Sequence, residues 1–259
     1  MMQIHPTAIV SQKAELGSNI VIGPFSVIED DVVIGNDCKI GPHVIIYNGA
    51  RIGNRVNILQ GAAVSNVSQD LKFDANIITQ FIIDDDTTIR EYVTLHRGTE
   101  DLGYSKVGKN CLLMAYTHVA HDCLIGDNCI LANLVQIGGH ATIEDNVIIG
   151  GGTPVHQFSK IGQHAMVAGG YRVIADVPPY ALVGGEPLKY SGLNVIGLRR
   201  RGFSNNDIQT LKDAYKMLFL SGDNLSAAKI KVAEKYADHQ LVKNILEFME
   251  KSKRGLVKR

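Results

Sequence analysis

Four of the nine histidines fall into a single register. Val119, Ile137 and Val155 are spaced by 18 residues; His118 precedes the first of them, His121 lies two after it, His140 three after the second and His156 one after the third. If 18 residues make one turn of a coil, all four side chains face outward near one edge, on three neighbouring turns about 4.8 Å apart. One such histidine would be an ordinary surface residue; four around one ladder make a site. Imidazole titrates near neutrality, so it is the natural general base for taking a proton from a hydroxyl. It is also the commonest zinc ligand, and the spacing leaves both chemistries open. Asp122 follows His121 directly and can orient the ring and stabilise its protonated form. Gly138-Gly139 precedes His140. A glycine N–H can approach a tetrahedral oxyanion closely, although Gly138 is assigned to turn chemistry. The run Gly150-Gly151-Gly152 serves a corner, since no Lys-Ser/Thr follows it as a P-loop requires.

The element that must position these groups is a repeat. Stepping by six from Ile4 meets a large aliphatic residue at every position to Val64, again at Ile77, Ile83, Ile89 and Leu95, and again from Val107 to Val173. The frame breaks twice, over residues 65–76 and 96–106. Two positions before the anchors the residue is mostly small: Ala8, Ser26, Cys38, Ala62, Cys111, Thr117, Cys123, Cys129, Ala141, Ala165. Residues two apart on a strand share a face, so each hexad offers a short strand with one small and one large inward residue. Glycine often follows the anchor, and its backbone freedom suits a corner. Three such sides close a triangular coil of 18 residues, stacked into about nine coils. The fold class is therefore an all-β solenoid, a parallel β-helix of hexapeptide repeats, over residues 1–185. All four cysteines occupy the small inward slot and are expected to pack there. Cys111 and Cys129, one coil apart, could be bridged geometrically, but a reducing compartment disfavours it.

Past the hexads, Pro178-Pro179 and Gly184-Gly185 mark a linker. Residues 186–259 read as a small α-helical domain. Ser204 with Asp207 forms a helix N-cap box, Ile208, Leu211, Tyr215, Leu218 and Phe219 recur at helical spacing, and Gly222 suits the C-terminal cap. Two more helices are expected, roughly over 225–236 and 240–251. The chain is neutral overall, with 26 basic and 26 acidic residues. Yet 186–259 holds 15 basic and 8 acidic residues, so this part can attract an acidic macromolecule. No apolar run approaches the ~20 residues of a membrane span. Residues 1–10 do not read as a signal peptide, so a cytoplasmic location is expected.

At the histidine segment, Met-Ala-Tyr-Thr-His-Val-Ala-His-Asp-Cys over residues 114–123, the chain resembles the UDP-N-acetylglucosamine O-acyltransferase family, within the hexapeptide acyltransferase superfamily. Further segments carry the likeness: Gln69-Asp70-Leu71-Lys72, His96-Arg97-Gly98-Thr99, Val155-His156-Gln157-Phe158, Asp176-Val177-Pro178-Pro179-Tyr180 and the run from Gly197 to Ser204. The resemblance covers nearly the whole chain, both breaks included. It implies a left-handed coil, a homotrimer and 3-hydroxyacyl transfer from acyl carrier protein to the 3-hydroxyl of UDP-N-acetylglucosamine, without metal, cofactor or covalent enzyme intermediate, opening lipid A synthesis. It implies that His121 is the base, that Asp122 supports it and that the Gly139 N–H stabilises the oxyanion. His118, His140, His156 and Gln157 would line the cleft. Asp70 and Lys72 would reach the sugar nucleotide across a subunit interface, Asn194 and Arg200 would contact nucleotide or donor, and Gly169 would act as an acyl-chain ruler. Ile196 departs from members with an acidic residue there, so that carboxylate's contacts are absent. Acyl carrier protein is acidic, which gives the basic tail a partner to steer; no nucleic acid is expected.

Four rivals remain. A sibling acyltransferase acts on the amine of an acylated UDP-glucosamine, and an acceptor with a 3-amino group differs from the hydroxyl by one donor. A zinc lyase of the γ-carbonic anhydrase kind uses three converging histidines on the same fold. A non-catalytic or ice-binding solenoid would show outward threonine ladders, not clustered histidines and two irregular loops.

Overall fold

The computed structural model describes residues 2–74, 76–222 and 224–257. Short parallel strands stack into three sheets of eleven, eight and eight strands, which form the faces of a left-handed β-helix of about ten turns. We call these faces A, B and C in that order. Each strand pairs with the strand one coil away, so that anchor meets anchor: Ile22 with Ile40 on face A, Val119 with Ile137 on face B, Ile125 with Ile143 on face C. The anchors from Ile22 onward fill one continuous core together with the small inward residues, while Ile4 in the first coil is 41% exposed because nothing stacks beneath it.

Inward polar slots are satisfied locally. Ser26 Oγ donates to Gly41 O at 2.7 Å and Thr87 Oγ1 to Gly108 O at 2.7 Å. The four cysteines are free and buried, as packing residues should be. Their thiols use the same device, with Cys38 Sγ 3.1 Å from Gly53 O and Cys129 Sγ 3.1 Å from Glu144 O. At the C–A corner an asparagine or aspartate ladder takes up the preceding coil's N–H groups: Asn54 Oδ1 accepts from Asn36 N at 2.9 Å, and Asp145 Oδ1 from Asp127 N at 2.8 Å.

Two expectations need correcting. The glycines after the anchors were expected to turn the corner through backbone freedom. Instead the left-handed residue is a later one, such as Asn128 (φ 57°), Asp122 (φ 56°) or His140 (φ 59°). Gly138 is required by close approach, because a Cβ there would fall 2.7 Å from Gln157 N on the next coil. Ile77 was expected to be an anchor. It lies in a loop, half-buried, while the frame resumes in the strand Gln80–Ile83 with Phe81 and Ile83 inward. Ile77 falls in the frame only when the step of six is counted back from Ile83 into the insertion.

Both insertions leave at the B–C corner. Ile58 pairs with Ile89, 31 residues on, and Ile89 with Leu113, 24 on, where 18 is the rule. The loops themselves run between Ala63–Asn66 and Gln80–Ile83, and between Thr94–His96 and Tyr104–Val107. The solenoid ends in a hairpin, Ala181–Gly184 antiparallel to Lys189–Leu193, which extends face A; the position 185 at which the sequence was divided falls in its turn. Four helices follow: α1 (Val195–Arg200), α2 (Asn205–Leu220), α3 (Leu225–Lys235) and α4 (Gln240–Lys251). Ser204 and Asp207 form the expected capping box at the start of α2. Tyr215 on α2 is 1% exposed and donates to Pro179 O at 2.5 Å, tying the helices to the last coil.

Leu131 is fully buried in the stack. Leu131→Ala should cost about 2–5 kcal/mol, read as a lowered midpoint in denaturant unfolding; an unchanged midpoint would contradict a close-packed solenoid core.

Candidate active site

The B–C corner that carries both insertions also carries the histidines. Residues 69–74 of the first loop and 99–101 of the second wall a cleft of about 710 Å3, and His118, His121, His140 and Gln157 form its floor. The αL turns at Asp122, His140 and Phe158 aim successive side chains into this edge, one coil above another.

His121 is the focus. Its Nδ1 lies 2.8 Å from Asp122 Oδ2. An ionised carboxylate only accepts, so Nδ1 carries the proton and Nε2 keeps its lone pair. Asp122 is held from the second loop, because Thr99 N donates to Oδ1 at 2.9 Å and Thr99 Oγ1 to Oδ2 at 2.7 Å. Burial of Asp122 opposes its ionisation, but the hydrogen bonds from Thr99 and His121 outweigh that and hold its carboxyl below the ordinary 3.8. The His121 ring packs against Gly139, where a Cβ would fall 2.7 Å from Nε2; only glycine leaves room for the ring. His140 crosses His121 at 89° with centroids 5.1 Å apart and stacks on Phe158 at 4.5 Å. Its Nε2 lies 3.8 Å from Asp122 and 3.7 Å from Asp101.

His118 projects from face B, with Nδ1 2.8 Å from Thr94 Oγ1. Burial, then the nearby His96 and His121, push its pKa down to about 4, so it is neutral at pH 7 and serves as a hydrogen-bonding wall. His96 meets it edge-on at 4.9 Å and is itself 4% exposed.

The other predicted positions are less uniform. Asp70 and Lys72 line the cleft on the first loop, where Asp70 Oδ1 caps Lys72 N at 3.0 Å. Arg97 braces that loop, its guanidinium 5.7 Å from the Phe73 ring centroid. Gln157 faces the cleft; His156 is exposed beside it and donates to Gln157 O at 2.9 Å. Asn194 and Arg200 do not line this cleft. Asn194 is buried as the N-cap of α1 and donates to His164 O at 3.0 Å, while Arg200 is exposed in the last turn of α1. Gly169 is exposed at the A–B corner, and a Cβ there would lie 2.9 Å from Gly151 O. Sequence reasoning assigned no role to Thr99, His96, Phe158 or Asp101. The first two lie in the quoted His96-Arg97-Gly98-Thr99 segment, but the insertions shift them out of the 18-residue count. Among the described residues, His121, Asp122 and His140 also offer ligand atoms within 4.8 Å of one another. Zinc needs its ligands about 2.0–2.2 Å from one point, whereas both Asp122 oxygens are already engaged by Thr99 and His121. The donor set suits a hydrogen-bonded dyad better than a metal.

Residues 31–66 and 104–139 match the bacterial transferase hexapeptide family, and residues 176–257 match the family described as UDP-N-acetylglucosamine O-acyltransferase, domain 2. Over its full length the chain is 40% identical to the acyl-[acyl-carrier-protein]–UDP-N-acetylglucosamine O-acyltransferase of Thiobacillus denitrificans and 43% identical to that of Myxococcus xanthus, in each case covering 100% of both chains. The chain belongs to the UDP-N-acetylglucosamine O-acyltransferase family. A solved UDP-N-acetylglucosamine acyltransferase from Bacteroides fragilis superposes with a TM-score of 0.97 at 42% identity, over 99% of this chain and 100% of that one. For a UDP-N-acetylglucosamine O-acyltransferase fold, the match therefore includes both inserted loops and the helical end, not the hexads alone.

Thr99→Val removes a hydrogen bond to a buried carboxylate, worth about 1.5–3 kcal/mol. It should lower kcat by roughly 10-fold or more with little change in KM. It should also move the Asp122 carboxyl upward. The ionised group stabilises the fold above its unfolded pKa, and that stability is lost as pH falls through the folded value. The variant should therefore lose thermal stability at a higher pH than wild type in an acid titration. Unchanged kcat and an unchanged acid limb would remove Thr99 from the site.

Proposed function

We propose that this chain transfers a 3-hydroxyacyl group from acyl carrier protein to the 3-hydroxyl of UDP-N-acetylglucosamine, the first step of lipid A synthesis. The observation that carries the reading is the oriented pair: Nδ1 of His121 on Asp122 at 2.8 Å, with Nε2 left as an acceptor in the cleft. Nε2 takes the proton of the sugar hydroxyl as its oxygen attacks the thioester carbonyl. The imidazolium is stabilised by Asp122, which remains a carboxylate. The Gly139 N–H stabilises the tetrahedral oxyanion. Collapse breaks the C–S bond, and the leaving thiolate recovers the proton from Nε2–H, giving ester and free thiol with no covalent enzyme intermediate. Neutral His118, His140 on its Phe158 stack, and Gln157 position the sugar, and Asp70 and Lys72 approach from the first loop. The cleft is open on one side, which supports a homotrimer in which a neighbour closes it and brings Asn194, Arg200 and the groove at Gly169 to the substrates. No described helix is long and apolar enough to cross a membrane; with substrates carried by a soluble acyl carrier protein, the reading places the enzyme in the cytoplasm. The basic 186–259 segment steers that acidic carrier. Purified protein offered graded acyl carrier protein thioesters with UDP-N-acetylglucosamine or its 3-amino analogue, with products weighed by mass spectrometry, tests the reaction. An ester on the 3-hydroxyl supports it, and exclusive amide formation overturns it.

Three outcomes follow from the assignment. His121→Ala should lower kcat by at least ~10²-fold while sugar-nucleotide binding, read by calorimetry, changes little. Extended treatment with a strong chelator should leave turnover intact; stoichiometric zinc held by His118, His121 or His140, with activity lost on its removal, would favour the lyase reading. Gly169→Met should shift donor preference toward shorter chains, since each methylene left unburied forfeits ~0.8 kcal/mol. Because the new Cβ meets Gly151 O, the length profile is read alongside the variant's melting curve, and an unchanged profile in a stable variant would remove the ruler.

A further inference from the structure

A second cavity opens where the last coil meets the C-terminal segment. After α4 the chain returns and pairs with the solenoid: Asp176 N donates to Gly255 O at 2.8 Å and Val257 N to Asp176 O at 2.9 Å. Between this added strand, the hairpin and the last coil lies a space of about 500 Å3, within the range of small-molecule sites. Ile174, Pro187, Leu188 and Val257 give it apolar walls, and Lys189 and Arg254 stand in its lining. Ile174 is 52% exposed into this space. It is separate from the histidine cleft, since the two share no lining residue, although Ala175 occupies the corner position one coil beyond Gln157.

The charges are uncompensated. Among the described residues neither Lys189 nor Arg254 forms an ion pair, and the Arg254 guanidinium reaches only the Ile174 carbonyl, at 3.3 Å. Neither nearby carboxylate is among the lining residues: Asp176 is fully buried and already engaged by Lys160 N at 2.8 Å and Ser252 Oγ at 2.6 Å, and Glu186 lies 3.6 Å from Arg172. Two free cations beside an apolar wall are complementary to one chemical shape, an anionic head on a hydrocarbon tail.

We infer that this cavity binds a free fatty carboxylate, with the tail against Ile174, Leu188 and Val257 and the head on Lys189 and Arg254. The chain head is held by charge-assisted hydrogen bonds and the tail by burial at about 25 cal/mol per Å2. The site does not depend on the acyl-transfer reading, and its test involves no turnover. Isothermal calorimetry on the full chain with decanoate and with 1-decanol is the experiment. Decanoate should bind with a Kd below about 1 mM and at least ~10-fold more tightly than decanol. Lys189→Gln/Arg254→Gln should erase the difference between the two ligands. Ile174→Glu, which places a carboxylate on an exposed side chain in the cavity, should weaken decanoate by at least ~10-fold without moving the melting temperature. Absence of decanoate binding to wild type, equal affinity for decanol, or decanoate binding that survives both variants would overturn the site.

Discussion

The constraint on which everything else rests is the hydrogen-bonded step between coils. Each coil's N–H groups donate to the carbonyls of the next, as His118 N does to Val135 O at 2.9 Å and Leu112 N to Cys129 O at 2.9 Å. This fixes the rise at one strand spacing and forces every position to stack on its equivalent in the next coil, 18 residues away wherever no loop is inserted. Side chains with no sequence proximity are thereby held at near-contact distance on a rigid frame. The His121–Gly139 contact is of this kind: two residues 18 apart become a ring lying against a backbone. A helix or loop could bring them together, but with less precision.

The same constraint explains why one corner is functional. A coil tolerates extra residues only where they can leave and return without breaking the step. Both insertions do so at the B–C corner, between Asn66 and Gln80 and between His96 and Tyr104. They raise walls around an edge that would otherwise be flat. Those walls supply Thr99 to Asp122. Burial then holds the His118 and His96 pKa values below the ordinary imidazole range, so that these two rings wall the cleft as neutral groups, while the hydrogen bond from His121 Nδ1 to Asp122 leaves His121 Nε2 facing the cleft as an acceptor.

Most of the solenoid was legible because its period is short and its anchors are large. Ile22, Ile40 and Ile58 announce the frame, and Ser204 with Asp207 announces α2. The histidine ladder was legible for the same reason, since His118, His121, His140 and Gln157 lie in uninterrupted hexads. Legibility failed where the count is interrupted or where proximity is tertiary. Thr99 reaches Asp122 across 23 residues and a loop, and no period predicts that contact. Ile77 was misread because a step of six can cross a loop without any strand beneath it. The glycines were seen at the right places for the wrong reason: Gly138 answers to the backbone of the coil above, which a single strand does not reveal.

The inward thiols have a consequence of their own. Cys38, Cys111, Cys123 and Cys129 are buried at different heights along the stack, each with its hydrogen on a carbonyl oxygen, and burial lifts the Cys123 pKa to about 12. A thiol reagent can reach such a group only when its own coil parts from its neighbour. The four cysteines are therefore natural gauges of fraying, set along the axis, whose labelling rates would map where a stacked chain first comes undone.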